Sequence, residues 1–291
     1  MRSGRVLWPR AMHCREAACD GAGVLGKDTR PAAAPGCPDS ASRATRRTKP
    51  FIPVERATAP MIHERAGIAP AASAITAKGA WNLIMDTLKL TYFDFPGGRA
   101  EPARLALHIG GIAFEDHRFA PAEFAQVCKH TPLHQVPVLH VNGLQVTQSD
   151  AITRYAGRLA GLYPEDPFQA LLCDEVMGAL EDLNIKVGAT FGLGADELRS
   201  ARGALVADAL PRYLRWLDAQ LEGRGGKYFA DGRLTIADLK AFVVARWLCS
   251  GKLDHIPTGL VASVAPGLEA HMQRIGSIPA ITHYYAGLGL A

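Results

Sequence analysis

The chain has 291 residues and a mass of 31.1 kDa, with 48% apolar and 21% charged residues, a balance that excludes a wholly disordered, collagen-like or disulfide-scaffold protein. No run of about 18 uncharged apolar residues occurs, so no membrane span is expected. The net charge of +4 is uneven: residues 1–84 hold 13 Lys+Arg against 6 Asp+Glu, leaving 19 against 22 in the remainder, and that body gives no reason to expect nucleic acid as a partner.

Residues 1–84 contain eight of the nineteen prolines and Ala-rich pieces such as Pro31-Ala32-Ala33-Ala34-Pro35, with no sustained apolar periodicity. A basic Pro/Ala-rich extension of this kind cannot bury enough surface to offset its chain entropy, so disorder is expected. It is Arg-rich and poor in acids, as targeting segments are, although it lacks a clear amphipathic helix. A regulatory tail is the second origin open. A gene-model artefact is the third and the favoured one, because Met85 stands immediately before the first strand-like run.

From Leu88 the pattern changes. Leu88-Lys89-Leu90-Thr91-Tyr92-Phe93 alternates and is rich in strand formers. Pro96-Gly97-Gly98 breaks it, and apolar residues at helical spacing predict a helix from Arg99 to Ile109, ended by Gly110-Gly111. A second strand is expected over Ala113–Phe119 and a short helix over Ala122–Lys129. Val138–Val141 and Leu144–Val146 form a hairpin, since Asn142-Gly143 supplies two positive φ values. Ser149 is expected to cap a helix running to Leu159. The order β-α-β-α-β-β-α is that of a thioredoxin-like α/β domain, assigned to residues 85–163. Gly161 to Pro167 reads as a linker, and residues 167–291 as an all-α helical domain. Its helices are expected over Phe168–Phe191, Asp196–Leu221, Thr235–Leu248 and Pro266–Ile275.

Six cysteines divide evenly between extension and body, without a C-x-x-C pair or zinc spacing, so no metal site is expected. Cys128, Cys173 and Cys249 read as buried or half-buried thiols of a reducing compartment.

Several short motifs then carry a resemblance. Leu90-Thr91-Tyr92-Phe93 followed by Gly98-Arg99-Ala100-Glu101, Phe114-Glu115-Asp116-His117-Arg118, Gln135-Val136-Pro137-Val138-Leu139 and Gln148-Ser149-Asp150-Ala151-Ile152 stand in this order. They resemble the cytosolic glutathione transferases, in particular the sigma class that includes the glutathione-dependent prostaglandin D synthases. The resemblance covers about residues 88–285 and implies glutathione as co-substrate. It implies Tyr92 as the catalytic hydroxyl, with Arg99 adding positive potential. It also places Phe93, Phe124, Gln135, Val136, Pro137, Gln148 and Ser149 at the tripeptide. Asp182 would reach the ligand's amino group across a homodimer interface. Phe124 stands where the sigma pattern has Trp, and Cys128 where it has Lys, which removes an indole donor and a cation; Lys129 and His130 are nearby candidates to supply charge.

Each motif also has a physical reading. A cis Val136–Pro137 bond would turn the Val136 N–H and C=O outward to pair with a peptide ligand as an added strand does; Pro137 could otherwise simply start an edge strand. Free thiols have a pKa of about 8.5, and a hydroxyl aimed at sulfur favours the thiolate. A downward shift of about two units corresponds to roughly 2.7 kcal/mol. Tyr92 taken alone could be a half-buried strand aromatic, Asp150 mere compensation of a helix dipole, and Asp182 an exposed helical acid. Thr235 and Asp238 form a capping box with a structural role.

The function expected is transfer of glutathione to small hydrophobic electrophiles, held by Phe95, residues 184–190 and Tyr284/Tyr285. A glutathione-dependent isomerase or peroxidase of lipid substrates is the alternative reaction. A non-catalytic structural or interaction protein is the alternative class. A cytoplasmic location is expected, or an organellar one if residues 1–84 are a targeting segment.

Overall fold

The computed structural model describes residues 86–290; the expectation for residues 1–84 lies outside the described residues. Four strands and three helices come first, as β1 (Leu88–Phe93), α1 (Glu101–Ile109), β2 (Glu115–Phe119), α2 (Phe124–Val127), β3 (Val138–Val141), β4 (Leu144–Val146) and α3 (Ser149–Leu159). Helices alone follow: α4 (Pro167–Gly188), α5 (Ala195–Ala204), α6 (Leu210–Gly223), α7 (Ile236–Leu248), α8 (Leu260–Val264), α9 (Pro266–Gly276) and α10 (Pro279–Gly287). The expected order is found. The second strand starts two residues later than expected, and α2 is a single turn flanked by 3₁₀ turns at Pro121–Glu123 and Cys128–His130.

The sheet order is β2-β1-β3-β4, with β2 parallel and β3 antiparallel to the central β1. Successive side chains of β1 therefore face opposite layers. Arg104 of α1 lies over the Tyr92 ring, 5.7 Å from its centroid, whereas the Phe93 ring meets Phe124 of α2 at 5.4 Å. Asn142 and Gly143 have φ of 51° and 85°, as the two-residue turn requires. The Asn142 side chain also ties the turn to the start of β1, accepting from the Thr87 N–H at 3.0 Å and donating to Asp86.

Arg104 is fully buried, and its guanidinium is the fastening of this half. Nε donates to Asp116 of β2 at 3.0 Å, Nη2 to the Phe93 carbonyl at 3.3 Å, and Nη1 to the Phe95 carbonyl at 3.5 Å and to Glu101 at 3.4 Å. One planar fork thus joins β1, β2, α1 and the loop after β1, which a lysine could not do.

In the helical half, α7 is buried along almost its whole length, between α1, α4 and α9, so its charged residues Asp238 and Lys240 must find partners inside the protein. Its capping box is present: Asp238 accepts from the Thr235 N–H at 2.8 Å and Oγ1 at 2.9 Å, from the Phe229 N–H at 3.0 Å, and bonds His271 Nε2 at 2.9 Å. The helix expected over Asp196–Leu221 is interrupted by a π-helical stretch, Leu205–Ala209, where the Leu210 N–H reaches the Leu205 carbonyl. Pro211 follows and has no N–H to continue the α ladder. Helix α10 lies beyond the last helix expected from the sequence; just Ile281 and Tyr285 of it are buried, too few for a periodic signal. Among the described residues, no helix is long and apolar enough to cross a membrane.

Arg104→Met removes the partner of the fully buried Glu101 and should destabilise the protein by about 3–5 kcal/mol, measured from the denaturant midpoint. Asp238→Ala strips four donors of their acceptor and should cost at least about 2 kcal/mol by the same measurement.

Candidate active site

The strand β1 ends at Phe93 and the chain turns through Asp94–Arg99 into α1. Tyr92 is 3% exposed. Its hydroxyl oxygen accepts the Arg99 backbone N–H at 3.1 Å, in the turn leading into the positive end of α1. With the oxygen engaged as acceptor, the hydroxyl proton is the group left to donate. Burial raises the Tyr92 pKa, and the Arg99 N–H and the charges of Arg99 and Arg104 only partly oppose this. At neutral pH Tyr92 is therefore an uncharged donor rather than a phenolate. The approach is close because residue 98 is glycine: a Cβ there would lie 2.7 Å from the Tyr92 oxygen, and φ is +74°. Phe93 centres an aromatic group, stacked on Phe95 at 5.7 Å and tilted against Phe119 at 4.9 Å and Phe124.

The Val136–Pro137 peptide is cis. Pro137 is buried, Val136 half-buried and Gln135 exposed, and no hydrogen bond from another described residue engages the Val136 N–H or C=O. The expectation that Ser149 caps α3 is corrected: Gln148 occupies the capping position, at φ 72° and ψ 110°, and Ser149 is the first helical residue. Its carbonyl accepts the Thr153 hydroxyl at 2.7 Å. A non-glycine residue at such a φ carries about 1–3 kcal/mol of strain. Gln148 is exposed and Ser149 half-buried. Phe124 brings no donor, Cys128 is fully buried, and Lys129 donates to Gln126 at 2.9 Å.

Two acids of α4 divide between opposite partners. Asp182 is exposed and accepts the Tyr213 hydroxyl of α6 at 3.1 Å, so it is not gathered with the other expected residues of its own chain. Its neighbour Glu181 is the one that reaches the turn before α1. Arg99 Nε donates to Glu181 Oε1 at 3.0 Å, and Lys240 Nζ of α7 donates to Glu181 Oε2 at 3.2 Å. Burial pushes the Glu181 carboxyl up, but Lys240 and Arg99 outweigh it and hold the pKa below its ordinary value. Arg99 is thus not a bare cation beside Tyr92. Lys240 also donates to Asp150 and to the Met177 carbonyl at 3.0 Å.

Tyr284 and Tyr285, expected at an electrophile pocket, are used in packing. The Tyr284 hydroxyl accepts from Arg118 at 3.1 Å, and the Tyr285 ring lies 4.1 Å beneath Arg246 and against Phe242. Sequence reasoning missed Arg104, Glu181 and Lys240. The signal for Lys240 was present, a cation in the mainly apolar run Ile236–Leu248, whose other charges are Asp238 and Arg246, since a buried charge must find partners. Among the described residues, no group of three His, Cys, Asp or Glu side chains could hold a metal ion.

Comparison with known proteins accords with this geometry. The glutathione S-transferase N-terminal domain model matches residues 88–158, and the glutathione S-transferase C-terminal domain model matches residues 181–287. Hematopoietic prostaglandin D synthase of Gallus gallus is 32% identical over 197 residues, 68% of this chain and 94% of that one. Glutathione S-transferase 3 of Caenorhabditis elegans is 33% identical over 156 residues, 52% of this chain and 75% of that one. Among solved structures, prostaglandin synthase D of Nilaparvata lugens superposes with a TM-score of 0.62 at 27% identity, covering 69% of this chain and 97% of that one. A sigma class enzyme of Fasciola hepatica gives 0.61 at 27% identity, covering 70% and 97%. A relative more than 30% identical along nearly its whole length, with both domain models in order, leaves one assignment: the chain belongs to the glutathione S-transferase family.

Proposed function

We propose that this glutathione transferase binds the tripeptide between the C-terminal end of β1 and the start of α3, ionises its thiol with Tyr92, and joins the sulfur to small hydrophobic electrophiles. The observation that carries the reading is the Tyr92 hydroxyl, fixed as a donor by the Arg99 N–H at 3.1 Å. Donation to sulfur stabilises the thiolate over the thiol, and the thiol proton passes to solvent. The thiolate then forms a C–S bond, as the electrophile releases its leaving group or moves its π electrons onto the adjacent atom.

The rest of the ligand follows the chain's own donors and acceptors. Val136 offers an N–H and a C=O to the cysteinyl segment in the manner of an added strand. Gln148 and Ser149 take the γ-glutamyl carboxylate at the positive end of α3. The strained φ of Gln148 supports this, since such conformations cluster at ligand sites. Gln135 meets the glycyl carboxylate with an amide, without charge, while Phe93 and Phe124 pack beneath it. Asp182 serves the partner subunit of a homodimer. Phe95 and the 184–190 stretch form the electrophile's wall, with Tyr284 and Tyr285 bracing it from outside. That Cys128, Cys173 and Cys249 are thiols rather than disulfides supports a cytoplasmic setting.

A second reaction, isomerisation of a lipid peroxide by the same thiolate, is supported by the name of the Gallus gallus relative. Parallel assays with an aryl halide and a lipid endoperoxide separate the two. A non-catalytic role is set aside because Tyr92, Gln148 and Ser149 are all present; no retention on immobilised glutathione would restore it.

Tyr92→Phe deletes a hydrogen bond to a charged sulfur worth about 1.5–3 kcal/mol. Turnover with an aryl halide at neutral pH should fall about 10–100-fold, with glutathione affinity little changed; unaltered turnover refutes the role. Gly98→Ala places a methyl against the hydroxyl at a strained φ. It should lower turnover at least as far, while a thermal melt shows the fold retained.

A further inference from the structure

Lys240 belongs to none of the motifs above, yet two of its three hydrogen bonds, to Asp150 and Glu181, reach groups that border the proposed site. Its side chain is 5% exposed, and it lies between Asp150 at the start of α3 and Glu181 of α4. Glu181 takes Arg99, and the Arg99 backbone N–H takes the Tyr92 oxygen. Asp150, Lys240, Glu181 and Arg99 form a chain of alternating sign that sums to zero. One end is the first turn of α3, where the γ-glutamyl group is proposed to bind; the other is the hydroxyl proposed to meet the sulfur.

We infer that Lys240 is a positioning residue for glutathione, holding the α3 terminus and the Arg99 turn at the spacing of the tripeptide and keeping the charge between them neutral. The inference rests on the proposed function. Two physical consequences follow from it. Without the ammonium, Asp150 would lose its ion-pair partner and Glu181 would keep only Arg99, leaving a net negative charge beside a ligand that is itself an anion, and more so as thiolate. Like charges at a few ångströms in a half-buried setting interact strongly, so both binding and ionisation of glutathione would suffer. The wall proposed for the electrophile includes none of the four, so binding of the electrophile would be unaffected. Asp150, on this view, does more than compensate the α3 dipole: it anchors the start of α3 to Lys240.

The test is Lys240→Met, which keeps the length and apolar stem of the side chain. KM for glutathione should rise about tenfold, and the pKa of bound glutathione, from its ultraviolet thiolate band, should rise by about one unit. KM for the electrophile should stay within about twofold of wild type, a split that general loosening of the core would not give. In Lys240→Met/Asp150→Asn, neutrality returns with the Arg99–Glu181 pair intact, and the thiol pKa should move back towards wild type. A folded Lys240→Met protein with unchanged thiol pKa and glutathione KM overturns the inference, as does a double variant no better than the single one. Should Lys240→Met not fold, Asp150→Asn is measured alone: a change in thiol pKa supports the coupling, and none overturns it. Wild-type protein that neither binds glutathione nor shows the thiolate band refutes the proposed function itself, a result distinguishable from either of these.

Discussion

The contact between the Tyr92 hydroxyl and the Gly98–Arg99 peptide is the constraint around which the thioredoxin-like half is arranged. A phenol buried at a strand end needs a partner, and the partner here is a backbone N–H at the start of a helix. That peptide can approach only because residue 98 lacks a side chain. The loop is held in place from behind by Arg104, whose guanidinium takes the carbonyls of Phe93 and Phe95. The proposed chemistry at the mouth and the packing of the core therefore share one turn of chain.

The same economy joins the two halves. Arg99 and Asp150 come from the α/β part, while Glu181 and Lys240 come from the helices. Charges removed from water are costly unless they meet, and these meet only when both parts are folded and docked. The proposed glutathione site is thus a property of the whole body, although nearly all the residues proposed to meet the ligand lie in its first third.

Much of this was legible in the sequence because it is local. The alternation of Leu88–Phe93, the Asn142-Gly143 turn, the capping box at Thr235 and the apolar run of α7 each declare themselves within a few residues. The cis Val136–Pro137 bond was anticipated through the resemblance and the chemistry of proline together. The misses have another origin. Lys240 and Asp150 are 90 residues apart and Arg99 and Glu181 82, so no window along the chain contains both members of either pair. Glu181 was passed over beside Asp182 for the same reason: adjacent acids on a helix point about 100° apart, and only the packing of α4 decides which of them meets Arg99 of the same chain. The cap of α3 slipped by one residue because Ser is an ordinary capping residue and Gln148 at positive φ is not.

The π-helical stretch before Pro211 has a further consequence. An extra residue in one turn rotates everything beyond it by about 100° relative to an unbroken helix, so α5 and α6 present their apolar stripes in different directions without an intervening loop. The stretch acts as a fixed swivel: excising a single residue from Leu205–Ala209 would leave composition and length almost untouched, yet turn the whole of α5 towards the wrong neighbours.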